Sequence, residues 1–396
     1  MTSSSPAPDP SVGGEQPPAE PEPDAVGEVE EVPPAPQRGR RWRVWAGLLL
    51  LLGGLAGWGG WDFWQFLHRP LPAAVLLEIE RGWPLARIAE LLEQRGVVSS
   101  AHWFMLLARW DRVRISRDGL DLGPGIQAGE YECAVGETPA HILARLTEGR
   151  QVVHRLVIPE GLTVAEIGAR MRAQGWETAE SLLAEPDITR KLGLEVPLLE
   201  GWLFPSTYHY RRHDTALEML TRMVRQAQQV MHDSWQAARQ AGVVGPSRPA
   251  HMAPLSPAEV LILASIIEKE TGRAEERTRV SAVFHNRLRK KMRLQSDPTV
   301  IYGVQHAPGG AGFGGDLTRQ HLRTPTPYNT YTQPGLPPAP ICNPGKAAIQ
   351  AALHPAEVDD LYFVARGEGY HVFAKTLAEH EANVDRYQRH VVPAKR

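Results

Sequence analysis

The sequence predicts an α+β protein carried on a single N-terminal transmembrane helix. Three observations predict it: an uncharged stretch behind a cluster of arginines, short strand-then-helix units after it, and a helix-rich C-terminal half ending in a hairpin. Val44–Trp61 runs eighteen residues without a charge, with Trp45, Trp58 and Trp61 near its ends. Arg38, Arg40, Arg41 and Arg43 precede it. Length, flanking charge and interfacial tryptophans fit a membrane-spanning helix over 44–67. A cleaved signal peptide would begin with basic residues, whereas residues 1–37 hold ten prolines, eight acidic residues and no Lys or Arg. Such a composition cannot bury a core, so 1–43 reads as a disordered acidic tail closed by a basic stop. The arginines keep that tail cytoplasmic and place the chain beyond about residue 68 across the membrane.

The net charge of −2 argues against a nucleic-acid partner, because no domain-wide basic surface is available. Two cysteines, Cys133 and Cys342, are too few for a disulfide scaffold, and either a pair or two free thiols fits them. The fifteen histidines are scattered, with no zinc-type grouping. Neither a nucleophile elbow, a Walker loop, a dinucleotide fingerprint nor an HExxH motif is present, so no metal or other cofactor is expected.

After the membrane, Ala74–Glu80 reads as a strand, followed by Gly82 and a helix from Pro84 to about Arg95. The pattern returns with Arg155–Pro159, Gly161 and a helix from Val164 to about Gln174, so that Gly82 matches Gly161 and Gly96 matches Gly175. Thr163 and Glu166 form a capping box on the second helix. Between them, Gln127–Cys133 and Thr138–Glu148 give a third unit, with Thr138 as cap and Pro139 at the first helical position. A spacer or a module gripping an extended polymer would fit such units equally. These units divide into a module at 74–150 and a second at 151–250. The rest of the second reads as mostly helical, with its longest helix from about Thr215 to Ala241.

The last segment, 251–396, opens with the N-terminal signal Ser256-Pro257-Ala258-Glu259, read as N-cap, proline and capping glutamate. Val260–Ile267 then covers every side of the helix, the pattern of an element buried all round. Glu268 ends that run. A carboxylate there is partly desolvated, which raises its pKa and favours the protonated form that general acid catalysis requires. Its neighbours Ala264, Ser265, Thr271 and Gly272 are small and would leave room for a substrate. A buried ion pair with Lys269 or Arg287 explains the same pattern. Glu270 falls over Ile266, Ile267 and Arg273 and reads as a structural carboxylate paired to an arginine.

A further helical stretch runs from Ala274 to Lys291. Gln295 and Asp297 follow it, and Asp297-Pro298 favours a turn that would present both into a cleft. Tyr302 lies just beyond. Gln305–Gly345 holds eight prolines and seven glycines, and a loop this long is disordered or functional. Tyr328, Asn329, Thr330 and Tyr331 favour function, since amides, hydroxyls and ring faces together suit a sugar. The chain closes with a hairpin, Leu361–Ala365 and Tyr370–Ala374, and a helix capped by Thr376 and Glu379.

Several long runs resemble the endolytic murein transglycosylase (MltG, YceG-like) family: Leu199–Tyr208, LASIIEKETG at 263–272, FHNRL at 284–288, LQSDPTVIYG at 294–303, TPYNTY at 326–331 and LYFVA at 361–365. Gly335–Pro338, Pro340-Ile341 and Pro344-Gly345 continue the match. The chain departs from the family at Ser206, where an acid usually precedes Thr-Tyr, in the insert Pro308–Gly315 and in its acidic tail. The resemblance implies a single-pass inner-membrane enzyme whose catalytic domain, at 251–396, is periplasmic. Its implied action is to cleave nascent peptidoglycan strands between N-acetylmuramic acid and N-acetylglucosamine, leaving 1,6-anhydro ends and terminating elongation, with peptidoglycan synthases as partners. A LysM-like module at 74–150 is implied as well, and the family's catalytic glutamate carries over to Glu268. Gln295, Asp297, Tyr302, Tyr328, Asn329, Thr330 and Tyr331 are then expected around the substrate. Asp297 is the candidate second carboxylate if the bond is hydrolysed instead, and a non-catalytic binding scaffold is the remaining alternative.

Overall fold

A computed structural model describes residues 38–117, 125–245, 249–307, 313–314 and 316–389. Of the tail expected to be disordered over 1–43, residues 1–37 lie outside the described residues, as does most of the insert Pro308–Gly315, whereas 38–43 are helical. The chain divides into two units, Met1–Gln65 and Phe66–Arg396. The described part of the first belongs to α1 (Arg38–His68), whose last three residues fall in the second. Its stretch Trp42–His68 has a mean hydropathy of 1.4 and is long and apolar enough to cross a membrane. Leu49, Leu50, Trp58 and Trp61 are exposed along it. An apolar helix whose side chains face outward on all sides suits a hydrocarbon surrounding.

The second unit bears out a mixed α+β chain. It begins with β1 (Val75–Ile79), α2 (Leu85–Gln94), α3 (Ala101–Arg117), β2 (Gly129–Cys133) and α4 (Pro139–Glu148). β1 and β2 pair antiparallel, Val75 opposite Cys133 and Ile79 opposite Gly129. This makes a β-α-α-β arrangement rather than separate strand–helix repeats. Leu77, Ile79, Tyr131 and Cys133 fill its inner face. Thr138 occupies the expected cap position of α4 without making a side-chain cap bond.

Next come β3 (His154–Val157), α5 (Val164–Ala173), α6 (Ala179–Leu183), α7 (Ile188–Lys191), β4 (Thr207–Tyr210) and α8 (Ala216–Gln240). β3 pairs antiparallel with β4. That strand interrupts a segment expected to be mostly helical, because Tyr208 and Tyr210 alternate inward with period two. The internal repeat holds at the backbone: Gly82 and Gly161 have φ of 82° and 80°, and Gly96 and Gly175 have 68° and 101°. The left-handed region explains glycine at these turns.

The C-terminal part contains α9 (Pro257–Glu270), α10 (Arg277–Arg289), α11 (Asp297–Gln305), α12 (Arg319–Arg323), α13 (Lys346–Leu353), the hairpin β5 (Tyr362–Gly367) and β6 (Tyr370–Ala374), and α14 (Leu377–Val384). The capping box of α9 forms as expected, with the Glu259 amide donating to Ser256 Oγ at 3.3 Å and the Ser256 amide to Glu259 Oε2 at 2.8 Å. Val260–Ile267 is buried throughout, packed among Phe204, Met231, Val280, Phe284 and Ile349. Each fully buried aliphatic side chain there contributes roughly 1.5–3 kcal/mol, so α9 is anchored by its environment more than by propensity. Asp297-Pro298 does not make the expected turn. It opens α11, since proline is favoured in a helix's first turn, and the preceding bend falls on Gln295 at φ 52°.

Candidate active site

Glu268 lies in the last turn of α9 and is half-buried. Its Oε2 accepts the Gly345 amide at 2.9 Å. Burial is the main force raising its pKa, opposed by the Gly345 bond; nearby Glu160 raises it further, and Arg277 and Lys269 lower it. The negative end of the α9 dipole acts in the same direction as burial. The result is a carboxyl group with one oxygen held by the backbone, biased toward its protonated form.

The small neighbours of Glu268 do something other than leave a void. Ser265 Oγ donates to Ile262 O at 2.7 Å and accepts the Ile341 amide at 3.0 Å. The 341–345 segment therefore packs directly on this face, because a small residue lets backbone approach closely. Space remains toward Gly272, where an added Cβ would meet nothing within 4 Å.

Asn343 fastens that segment. Its backbone exchanges bonds with the loop after β3, Gly161 N–H to Asn343 O at 3.0 Å and Asn343 N–H to Leu162 O at 2.8 Å. Its side chain accepts the Leu203 amide at 2.8 Å and donates to Leu162 O at 2.9 Å and Glu200 Oε1 at 3.0 Å. Glu200 also accepts the Val164 amide at 3.1 Å and the Tyr302 hydroxyl at 3.2 Å. Burial pushes its pKa up to about 8 against those bonds. It lines one side of a 580 Å³ cavity together with Val164, Leu183, Leu199, Tyr302 and His306.

The expected site residues fall into three groups. Asp297 accepts the Tyr331 hydroxyl at 2.7 Å, and the Gln295 amide donates to Thr330 O at 3.2 Å. Thr330 is buried, its hydroxyl accepting the Ser296 amide at 3.0 Å and meeting Thr299 Oγ1 at 2.8 Å. This first group gathers about Glu270, which accepts from Ser296 Oγ. Burial pushes Glu270 up to about 7, with Asp297 raising it and Arg287 lowering it. Glu270 is therefore held by a serine hydroxyl and not by Arg273, whose guanidinium donates to Glu368 O and stacks over Tyr370. Tyr302 and Tyr328 form the second group, their rings 4.8 Å apart beside Glu200. Asn329 is fully buried, its Nδ2 donating to the carbonyls of His321, Leu322 and Thr324 at 3.3, 3.1 and 2.7 Å and its Oδ1 accepting the Tyr331 amide at 2.9 Å. It organises the loop that carries the tyrosines.

Sequence reasoning missed Glu160, and with it a second carboxylate near Glu268. A Cβ at Gly345 would overlap the Glu160 carboxyl. The only available signal was Pro159-Glu160-Gly161, an acid set at the tip of a turn after a strand. Cys133 and Cys342 are both free and buried.

The chain is 30% identical over 333 residues to the endolytic murein transglycosylase of Bacillus subtilis (strain 168), covering 79% of this chain and 84% of that one. A protein of the same name from Streptococcus pneumoniae serotype 2 (strain D39) is 26% identical over 340 residues, and the match spans 58% of its length. A crystal structure of a protein described as yceG-like from Listeria monocytogenes aligns with a TM-score of 0.49 at 29% identity, covering 79% of this chain and 99% of that one. A family model described as the YceG-like family matches residues 77–386, and the chain belongs to that family.

Proposed function

We propose that this chain is a membrane-anchored lytic transglycosylase of peptidoglycan in which Glu268 is the acid and then the base. The observation that carries the reading is Glu268 itself: half-buried, biased toward protonation, and aimed by the Gly345 amide. Glu268 protonates the glycosidic oxygen between N-acetylmuramic acid and N-acetylglucosamine, and the bond breaks as positive charge develops on the muramoyl ring. The Glu268 carboxylate left behind takes the proton of that sugar's C6 hydroxyl, whose oxygen closes onto the anomeric carbon as a 1,6-anhydro ring. Because the nucleophile is internal, one carboxyl group can serve both halves.

The helix at 44–67 serves as a single-pass inner-membrane anchor with its N-terminus cytoplasmic and the rest periplasmic. The β-α-α-β order of 74–150 supports a LysM-like module that grips the glycan. Cleavage of strands under synthesis fits an enzyme working beside peptidoglycan synthases. The nearness of Glu160 to Glu268 also favours a second reading, hydrolysis by a carboxylate pair. Asp297, expected as that second carboxylate, accepts the Tyr331 hydroxyl and stands beside Glu270.

The test is mass analysis of glycan strands digested by the detergent-solubilised chain, by Glu268→Gln and by Glu270→Gln. Anhydro ends from the wild type and none from Glu268→Gln are expected. Reducing ends would establish hydrolysis. Full activity of Glu268→Gln with loss in Glu270→Gln would move the acid to the other carboxylate.

A further inference from the structure

Glu160 is exposed, and among the described residues no hydrogen bond or ion pair engages its carboxylate. Its backbone is nonetheless tightly placed. Gly161 and Leu162 are zipped to Asn343, and Lys269 Nζ donates to Gly161 O at 3.3 Å. Gly161, at φ +80°, lies directly beside the end of α9: a Cβ there would be in van der Waals contact, 3.7 Å from Glu268 Cγ and from Lys269 Cδ. One residue earlier in the chain, the Glu160 carboxyl rests against Gly345, whose amide Glu268 holds. Two carboxylates thus flank one peptide unit, each brought by a different part of the chain.

A negative charge so placed disfavours ionisation of Glu268. Four groups face Glu268: Lys269 on its own helix, Arg277 on α10, Cys342 on the packed segment and Glu160 on the loop after β3. Among the charges, Glu160 weighs most, ahead of both Arg277 and Lys269. Lys269 is turned toward a carbonyl instead of the carboxylates.

We propose that Glu160 is a positioning residue of the reaction, a second negative charge set beside Glu268 so that Glu268 enters each cycle carrying its proton. The inference rests on Glu268 being the acid. The same charge serves the second half-reaction, because a carboxylate beside another negative charge is the stronger base toward the C6 hydroxyl. Glu160 gives up no proton and forms no bond; it acts through Glu268.

The experiment measures kcat/KM against pH for the full-length chain in detergent, for Glu160→Gln and for Glu160→Asp, with product ends determined in each case. The expected result is that the alkaline limb of Glu160→Gln moves to lower pH, with a several-fold loss at the alkaline end and the acid-side rate retained. Glu160→Asp should fall between the two. Added salt should draw the wild-type limb toward that of Glu160→Gln, since an exposed charge is screened. An equal loss at every pH with an unmoved limb would overturn the proposal. So would a change from anhydro to reducing ends in either variant, which would make Glu160 a residue that keeps water from the cleaved end. A wild type no more active than Glu268→Gln would refute the underlying reading instead, so the two failures are distinguishable. Because Glu160 is exposed, the variants should keep the wild-type melting temperature, which identifies any loss from misfolding.

Discussion

Glu268 is one of three glutamates whose pKa is raised by burial around this site, and each sits in a different setting. Glu268 is open enough to meet a substrate, Glu270 is taken up by Ser296, and Glu200 is enclosed by three donors. On the proposed mechanism, Glu268→Gln should lower strand cleavage by about 10²–10⁴-fold, read as products released per enzyme. Gly345→Ala tests the contact on the other side. Gly345 has φ −77°, so alanine fits the backbone, and what must move is the Glu160 side chain. Stability should drop by less than about 1 kcal/mol, while the alkaline limb of activity shifts in the same direction as in Glu160→Gln. Glu200 predicts a pH dependence of stability. Its folded pKa of about 8 lies above the value of 4.5 for an exposed glutamate. The unfolded chain therefore releases that proton first, and stability falls from about pH 4.5 to about pH 8 and then levels. The slope is at most about 1.4 kcal/mol per pH unit. Thermal melting of Glu200→Gln across that range should show a smaller slope than wild type, the remainder coming from Glu270 and Glu268.

At the scale of elements, α9 and the 341–345 segment make the site together. α9 was legible from its capping box and its unbroken apolar run, because both signals are local. The segment beside it was legible only as proline-rich chain, since what orders it is Asn343 reaching residues more than a hundred positions away. Asn343→Ala would leave the Leu203 amide without its buried acceptor and take one donor from Glu200, at a cost of about 2–3 kcal/mol. It should also weaken catalysis by loosening Gly345, measurable as a fall in kcat beyond any change in melting temperature. Asn329, expected at the substrate, instead gathers three carbonyls of its own loop. Residue type suggested sugar binding; hydrogen-bond direction assigns its amide to shaping the loop.

For the whole molecule, the division at residue 250 expected from the linker does not separate two cores. Phe204, Ala227, Met231 and Ala238 belong to the same buried cluster as α9, and Trp202 packs against both this cluster and the one around α5. Asn343 adds polar ties across the same boundary. A fragment of 251–396 should therefore fail to fold cooperatively, whereas the chain from 66 onward should melt in a single main transition, as circular dichroism would show. The sequence by itself determined the long apolar N-terminal helix, the capped helices, the glycine turns and the choice of Glu268 as the acid to test, because period, caps and motifs are properties of neighbouring residues. Only the tertiary structure decided what Glu268 faces. The Gly345 amide and the Glu160 carboxyl reach it from distant parts of the chain, and no local pattern records a charge that arrives through space.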